Sequence, residues 1–120
     1  MPRRIEPEPG GVPKDLVAAS AVPLVLGILA RGESYGYAIL AEVKTLSGGR
    51  LEWKDGMLYP VLHRLERNGW VTASERESKD GRKRRYYRIT TSGRRCLAEH
   101  RAQWTLMTDV LNLAWENTHV

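Results

Sequence analysis

A chain of 120 residues, 42% hydrophobic and 28% charged, has the size and balance of one water-soluble domain with a modest core. Its net charge is +5, yet residues 76–95 alone hold nine bases against Glu77 and Asp80, so the excess sits in one segment. That concentration points to a polyanion, with nucleic acid ahead of an anionic membrane; a plain solvated charge run is the competing reading.

In chain order, residues 1–12 read as a flexible arm, since EPEPGGVP (6–13) is rich in proline and glycine. A first helix is expected from near Pro13 to Arg31, stopped by Gly32 and kinked or split by Pro23. Its uncharged run LVAASAVPLVLGILA (16–30) is too short to span a bilayer, and neither a basic flank nor a cleavage site marks it as a signal peptide. This implies a buried helix and no membrane partner. Ser34 is the expected cap of a second helix reaching about Leu46, with SGG at 47–49 as its end. A third is expected after Asp55, again as cap, through Arg67, with Pro60 near its first turn and Asn68-Gly69 as its stop.

The period then changes. WVTASERES (70–78) and KRRYYRIT (83–90) alternate like strands, and Asp80-Gly81 marks the hairpin turn. Burying Tyr87 and Ile89 leaves Arg84, Tyr86 and Arg88 on the outer face. Thr90 or Ser92 can cap a last helix.

Three helices followed by a basic hairpin define the expected fold class: mainly α with a small β-hairpin, a winged helix-turn-helix over residues 13–91. The hairpin is then a wing for phosphate backbone, contributing Arg82, Lys83, Arg84, Tyr86 and Arg88. The third helix is the reader. With Leu58, Val61, Leu62 and Leu65 turned inward, Met57, Tyr59, Pro60, His63, Arg64 and Arg67 are left for DNA, together with Lys54 just before the helix. Arg64 can address guanine or phosphate, or pair with a carboxylate such as Glu66.

In the last segment, 92–120, Leu97, His100, Trp104, Met107, Leu111 and Ala114 recur at spacings of three and four. This seam predicts a homodimerisation helix with Leu97, Trp104, Leu111 and Ala114 at the interface; folding back on its own domain is the alternative. Cys96 is the only cysteine, so no intrachain disulfide can form, in keeping with a reducing, cytoplasmic location. Cys96 and His100 are four apart, a chelating geometry, but two ligands do not make a site, and neither metal nor cofactor is expected. A metal-responsive regulator stays as an alternative.

The stretches LVLGILARGESYGYAIL (24–40), GMLYPVLHRLERNGWV (56–71) and GRKRRYYRITTSGRRCL (81–97), with Trp104 downstream, resemble the PadR family of bacterial transcriptional regulators. The leading PKDL (13–16) is similar to the family's short, multidrug-binding members with one C-terminal helix. The resemblance implies a dimeric repressor on a pseudo-palindromic operator. It also implies a pore around Trp104, eleven residues after Gly93, where a small aromatic effector stacks, with Met107 and His100 beside it. Spacing alone shows only a buried aromatic. A winged-helix protein-interaction module without DNA binding is the main rival, and the concentrated wing charge argues against it. No nucleophile–base pair, phosphate-cradling glycine loop or carboxylate dyad suggests an enzyme.

Overall fold

The computed structural model describes residues 11–116; most of the arm and the last four residues of the chain lie outside that range. Four helices and three short strands succeed one another in the order α1 (Lys14–Ala30), β1 (Ser34–Tyr35), α2 (Gly36–Leu46), α3 (Asp55–Arg67), β2 (Val71–Glu77), β3 (Lys83–Ile89) and α4 (Thr91–Glu116).

Pro13 stands at the N-cap of α1, where its fixed φ of −57° suits helix entry and its missing N–H costs nothing. Pro23 removes one hydrogen bond inside the helix, yet α1 is one continuous element; of the two expected outcomes, kink or split, the split does not occur. Val25, Leu26 and Leu29 are fully buried and make α1 the central rod of the core. α3 buries Leu58, Leu62 and Leu65 at helical spacing, with Val61 half-buried beside them. Its N-cap is Lys54, with Asp55 as first helical residue rather than cap. Pro60 is the sixth residue, one position further in than an Asp55 cap would place it, so the carbonyl of Gly56 loses its helical donor.

The sheet has the order β1-β3-β2, all antiparallel. β1 is the element the sequence does not announce. Ser34 pairs with Tyr87 and Tyr35 with Tyr86, so Ser34 is a strand residue and not the cap of α2; α2 begins after Tyr35 with no side-chain cap. The ladder to β3 holds Ser34 extended.

The passage from wing to α4 is tightly tied. Thr90 donates its N–H to the Trp70 carbonyl at 3.0 Å and its hydroxyl to Gly69 O at 2.7 Å. The same hydroxyl oxygen accepts the Gly93 N–H at 3.0 Å, which makes Thr90, rather than Ser92, the cap of α4. Gly93 is buried against the corner before β2, where a Cβ would lie 2.1 Å from the Trp70 carbonyl oxygen. α1 packs along α4, and Cys96 and Leu97 join the core from its first turns.

Candidate nucleic-acid interface

A tight three-residue loop builds the wing tip. Ser78 N–H donates to Arg82 O at 2.7 Å, Gly81 N–H donates to Ser78 O at 2.9 Å, and Gly81 has φ +83°, the left-handed position such loops require. The Asp80 carboxylate accepts from the Ser78 hydroxyl and from Arg82 N–H. These bonds, with the Arg84 guanidinium nearby, hold its pKa below the ordinary carboxylate value.

Behind the tip, β2 and β3 set Arg76 opposite Arg84, a like-charge pair that would repel if both side chains ran parallel. They diverge instead. Arg76 lies 4.0 Å over the Tyr86 ring and pairs with Glu33; Arg84 lies 4.3 Å over the Tyr35 ring and pairs with Asp80 at 3.0 Å. Tyr35 and Tyr86 meet edge to face at 5.4 Å. Glu33 also faces Arg88 at 3.7 Å, and Arg85 bonds Glu66 of α3 at 2.9 Å. The outer face of β3 is therefore not bare: Arg84 and Tyr86 are half-buried under β1, while Arg88 is exposed. Among the described residues, the side chains of Arg82 and Lys83 have no ion pair and stand free at the tip.

The wing and α3 meet in one cleft of about 590 Å³, lined by Tyr59 of α3, Tyr35, Gly36 and Tyr37 at the start of α2, and Arg82 to Arg85. Tyr59, Pro60, His63, Arg64 and Arg67 are exposed, as is Lys54. Met57 is a correction: it is half-buried and packed against the core beside Trp53, because the first turn of α3 sits close to the base of α1. Glu33, Tyr35 and Arg76 are side chains that spacing does not single out. Two strand residues are too few to show a period.

Along α4 the seam divides in two. Leu97, His100 and Trp104 are half-buried, whereas Met107 and Leu111 are 51% and 40% exposed. Leu106, Val110, Leu113 and Trp115 are exposed as well, so a contiguous apolar flank runs down the second half of the helix. Ala114 lies within that exposed stretch. Cys96 is buried, and loss of hydration pushes its thiol pKa up, with the Glu99 charge adding to the effect. Among the described residues, no three of His, Cys, Asp and Glu gather as a metal site, and no helix is long and apolar enough to cross a membrane.

A buried helical core, a third helix with an exposed polar side and an arginine-rich hairpin on the same cleft define a winged-helix fold of the DNA-binding class. The family model of the PadR-like transcriptional regulators matches residues 25–99, more than half of the chain, and the chain belongs to that family. An uncharacterised protein of Lysinibacillus sphaericus is 30% identical over 105 residues, covering 88% of this chain and 96% of that protein. Transcriptional regulator Rv3488 of Mycobacterium tuberculosis is 54% identical over 46 residues, which span 38% of this chain and 42% of Rv3488. Among solved structures, a PadR family regulator from Eggerthella lenta superposes with TM-score 0.72 at 33% identity, covering 87% of this chain and 88% of that one. A transcriptional regulator from Clostridium thermocellum gives TM-score 0.76 at 29% identity, covering 82% and 96%. The family is one of transcriptional regulators, not of enzymes.

Proposed function

We propose that this regulator is a homodimeric repressor that grips a pseudo-palindromic operator with α3 and the wing of each protomer. One observation carries the reading: exposed Tyr59 of α3 and the bases Arg82–Arg85 line a single cleft, so groove and flanking backbone can be engaged together. Tyr59, Pro60, His63 and Arg64 address the groove, with Lys54 and Arg67 beside it. Met57, half-buried, supports the reader from behind. Arg82 and Lys83 take phosphates directly, while Arg84, Tyr86 and Arg88 form a pre-set layer whose carboxylate partners Asp80 and Glu33 yield to phosphate.

A salt titration tests the wing. Arg82→Ala with Lys83→Ala is expected to weaken specific and random duplexes alike and to flatten the log–log salt slope by roughly 0.9 per lost phosphate contact. A slope equal to the parent's would remove the tip from the interface.

The exposed flank of α4 supports the dimer, with Leu97, Trp104, Leu111 and Ala114 in the seam. Between two such helices, paired Trp104 indoles with His100 and Met107 beside them form a slot for a planar apolar effector, which releases the operator by changing the spacing of the two readers. Trp104→Ala is expected to abolish the fluorescence and stability response to planar dyes while leaving operator affinity within a few-fold; Trp115→Ala keeps most of the response. Unchanged dye binding in the Trp104→Ala protein would make Trp104 a core residue only.

A further inference from the structure

A chain of side chains crosses all three strands on the outer face of the sheet. Tyr35 pairs with Tyr86 and Arg76 with Arg84, so Glu33, two residues before Tyr35, falls at the β1 edge beside Arg88. From the opposite edge, Arg76 reaches across the Tyr86 ring of the middle strand, its guanidinium carbon 4.0 Å from the ring centre, and donates to Oε1 of Glu33. Oε2 of the same carboxylate stands 3.7 Å from Nε of Arg88. One carboxylate thus holds guanidiniums from two strands, and its side chain is only 25% exposed. Two other acids at the wing serve its architecture: Asp80 closes the tip loop through Ser78 and Arg82, and Glu66 ties β3 to α3 through Arg85. The Glu33 carboxylate bonds, among the described residues, to Arg76 and Arg88 alone.

We infer that Glu33 is a specificity-determining residue, a tether that keeps Arg76 and Arg88 off the backbone of a randomly met duplex; the inference rests on the DNA-binding reading above. Phosphate attracts guanidinium whatever the sequence, so every free base on the wing strengthens random binding along with specific binding. With Arg76 and Arg88 neutralised at Glu33, Arg84 at Asp80 and Arg85 at Glu66, the tip bases Arg82 and Lys83 are left to grip such a duplex. An ion pair this close to water is weak enough to be exchanged. A duplex seated by α3 holds its phosphates beside the wing at high effective concentration, and there a phosphate takes Arg88 from the carboxylate. A duplex held by the tip alone presents no fixed phosphate, and the tether stays shut. Arg88, with 72% of its side chain exposed, is the arm that swings, while Arg76 stays pinned on Tyr86.

The test measures binding of the full chain to two labelled duplexes over a range of salt, one of random sequence and one carrying the operator selected from a genomic library. Glu33→Gln keeps the shape of the side chain and removes its charge. Its affinity for the random duplex is expected to rise about five-fold, with a log–log salt slope steeper by roughly 0.9 for the contact that Arg88 gains. The operator should gain less than about two-fold, so discrimination between the two narrows. Glu33→Asp keeps the charge and should stay within about two-fold of the parent on the random duplex. Adding Arg88→Gln to Glu33→Gln should return the random-duplex slope to the parent's. Four results would each overturn the tether: unchanged random binding in Glu33→Gln, an equal gain on both duplexes, the same gain in Glu33→Asp, or a slope that stays steep in the double variant. A parent chain that binds neither duplex would instead overturn the DNA-binding reading, and the tether with it.

Discussion

Gly93→Ala is expected to lower stability by about 3 kcal/mol or more, a large share of the roughly 5–15 kcal/mol that holds a domain together. The added methyl would stand 2.1 Å from the Trp70 carbonyl oxygen and 2.8 Å from Cγ1 of Ile89. Neither neighbour can give way cheaply. The Trp70 carbonyl is backbone and already accepts the Thr90 N–H, and Ile89 is buried in register with Val71. Relief requires α4 to tilt off the corner, which breaks the Thr90–Gly93 cap, costing about 1 kcal/mol in its own right, and loosens Cys96 and Leu97 from the core. Thermal unfolding at matched protein concentration should move down by roughly 10–20 °C. A midpoint within about 3 °C of the parent would mean that the wing and α4 are not locked as described.

The second large effect concerns assembly. Leu97 packs partly on its own core, so replacing it tests folding and association together. Met107 and Leu111 are the cleaner pair, because half or nearly half of each side chain is open in the single chain. Met107→Asp with Leu111→Asp puts four carboxylates into the proposed two-fold interface and removes apolar contacts worth about 1.5–3 kcal/mol each. The dimer dissociation constant should rise by roughly 10⁴-fold or more, while the helical circular dichroism of the winged body persists. Operator affinity should fall by roughly 10²–10⁴-fold as two linked half-site contacts become independent. A dimer of parental strength in sedimentation would move the interface elsewhere.

Much of this architecture is legible in the chain. Leu58, Leu62 and Leu65 recur at helical spacing, Tyr87 and Ile89 alternate at strand spacing, and an Asp-Gly turn separates two runs of the right length. What hides is what depends on partners far along the chain. Ser34 looks like a helix cap because its local signal is that of a polar residue before an amphipathic run; the Tyr87 ladder overrides it from more than fifty residues away. Met57 looks outward by periodicity, but the base of α1 folds across it. Arg84 and Arg88 read as free charges, yet Tyr35 and Glu33 already engage them. Counting bases locates the wing and cannot tell free guanidiniums at the tip from tethered ones behind it.

A dimer reading duplex DNA through α3 and the wing is best tested by selecting fragments from a genomic duplex library with the purified chain. The expected product is a set of fragments sharing two half-sites related by two-fold symmetry, their centres about one helical turn (10–10.5 base pairs) or a multiple of it apart. Recovery should fall steeply with salt, and the Arg82→Ala, Lys83→Ala protein should respond less steeply. Recovery of fragments with no shared element, or of single half-sites without a symmetric mate, would contradict a symmetric dimer reading through these surfaces.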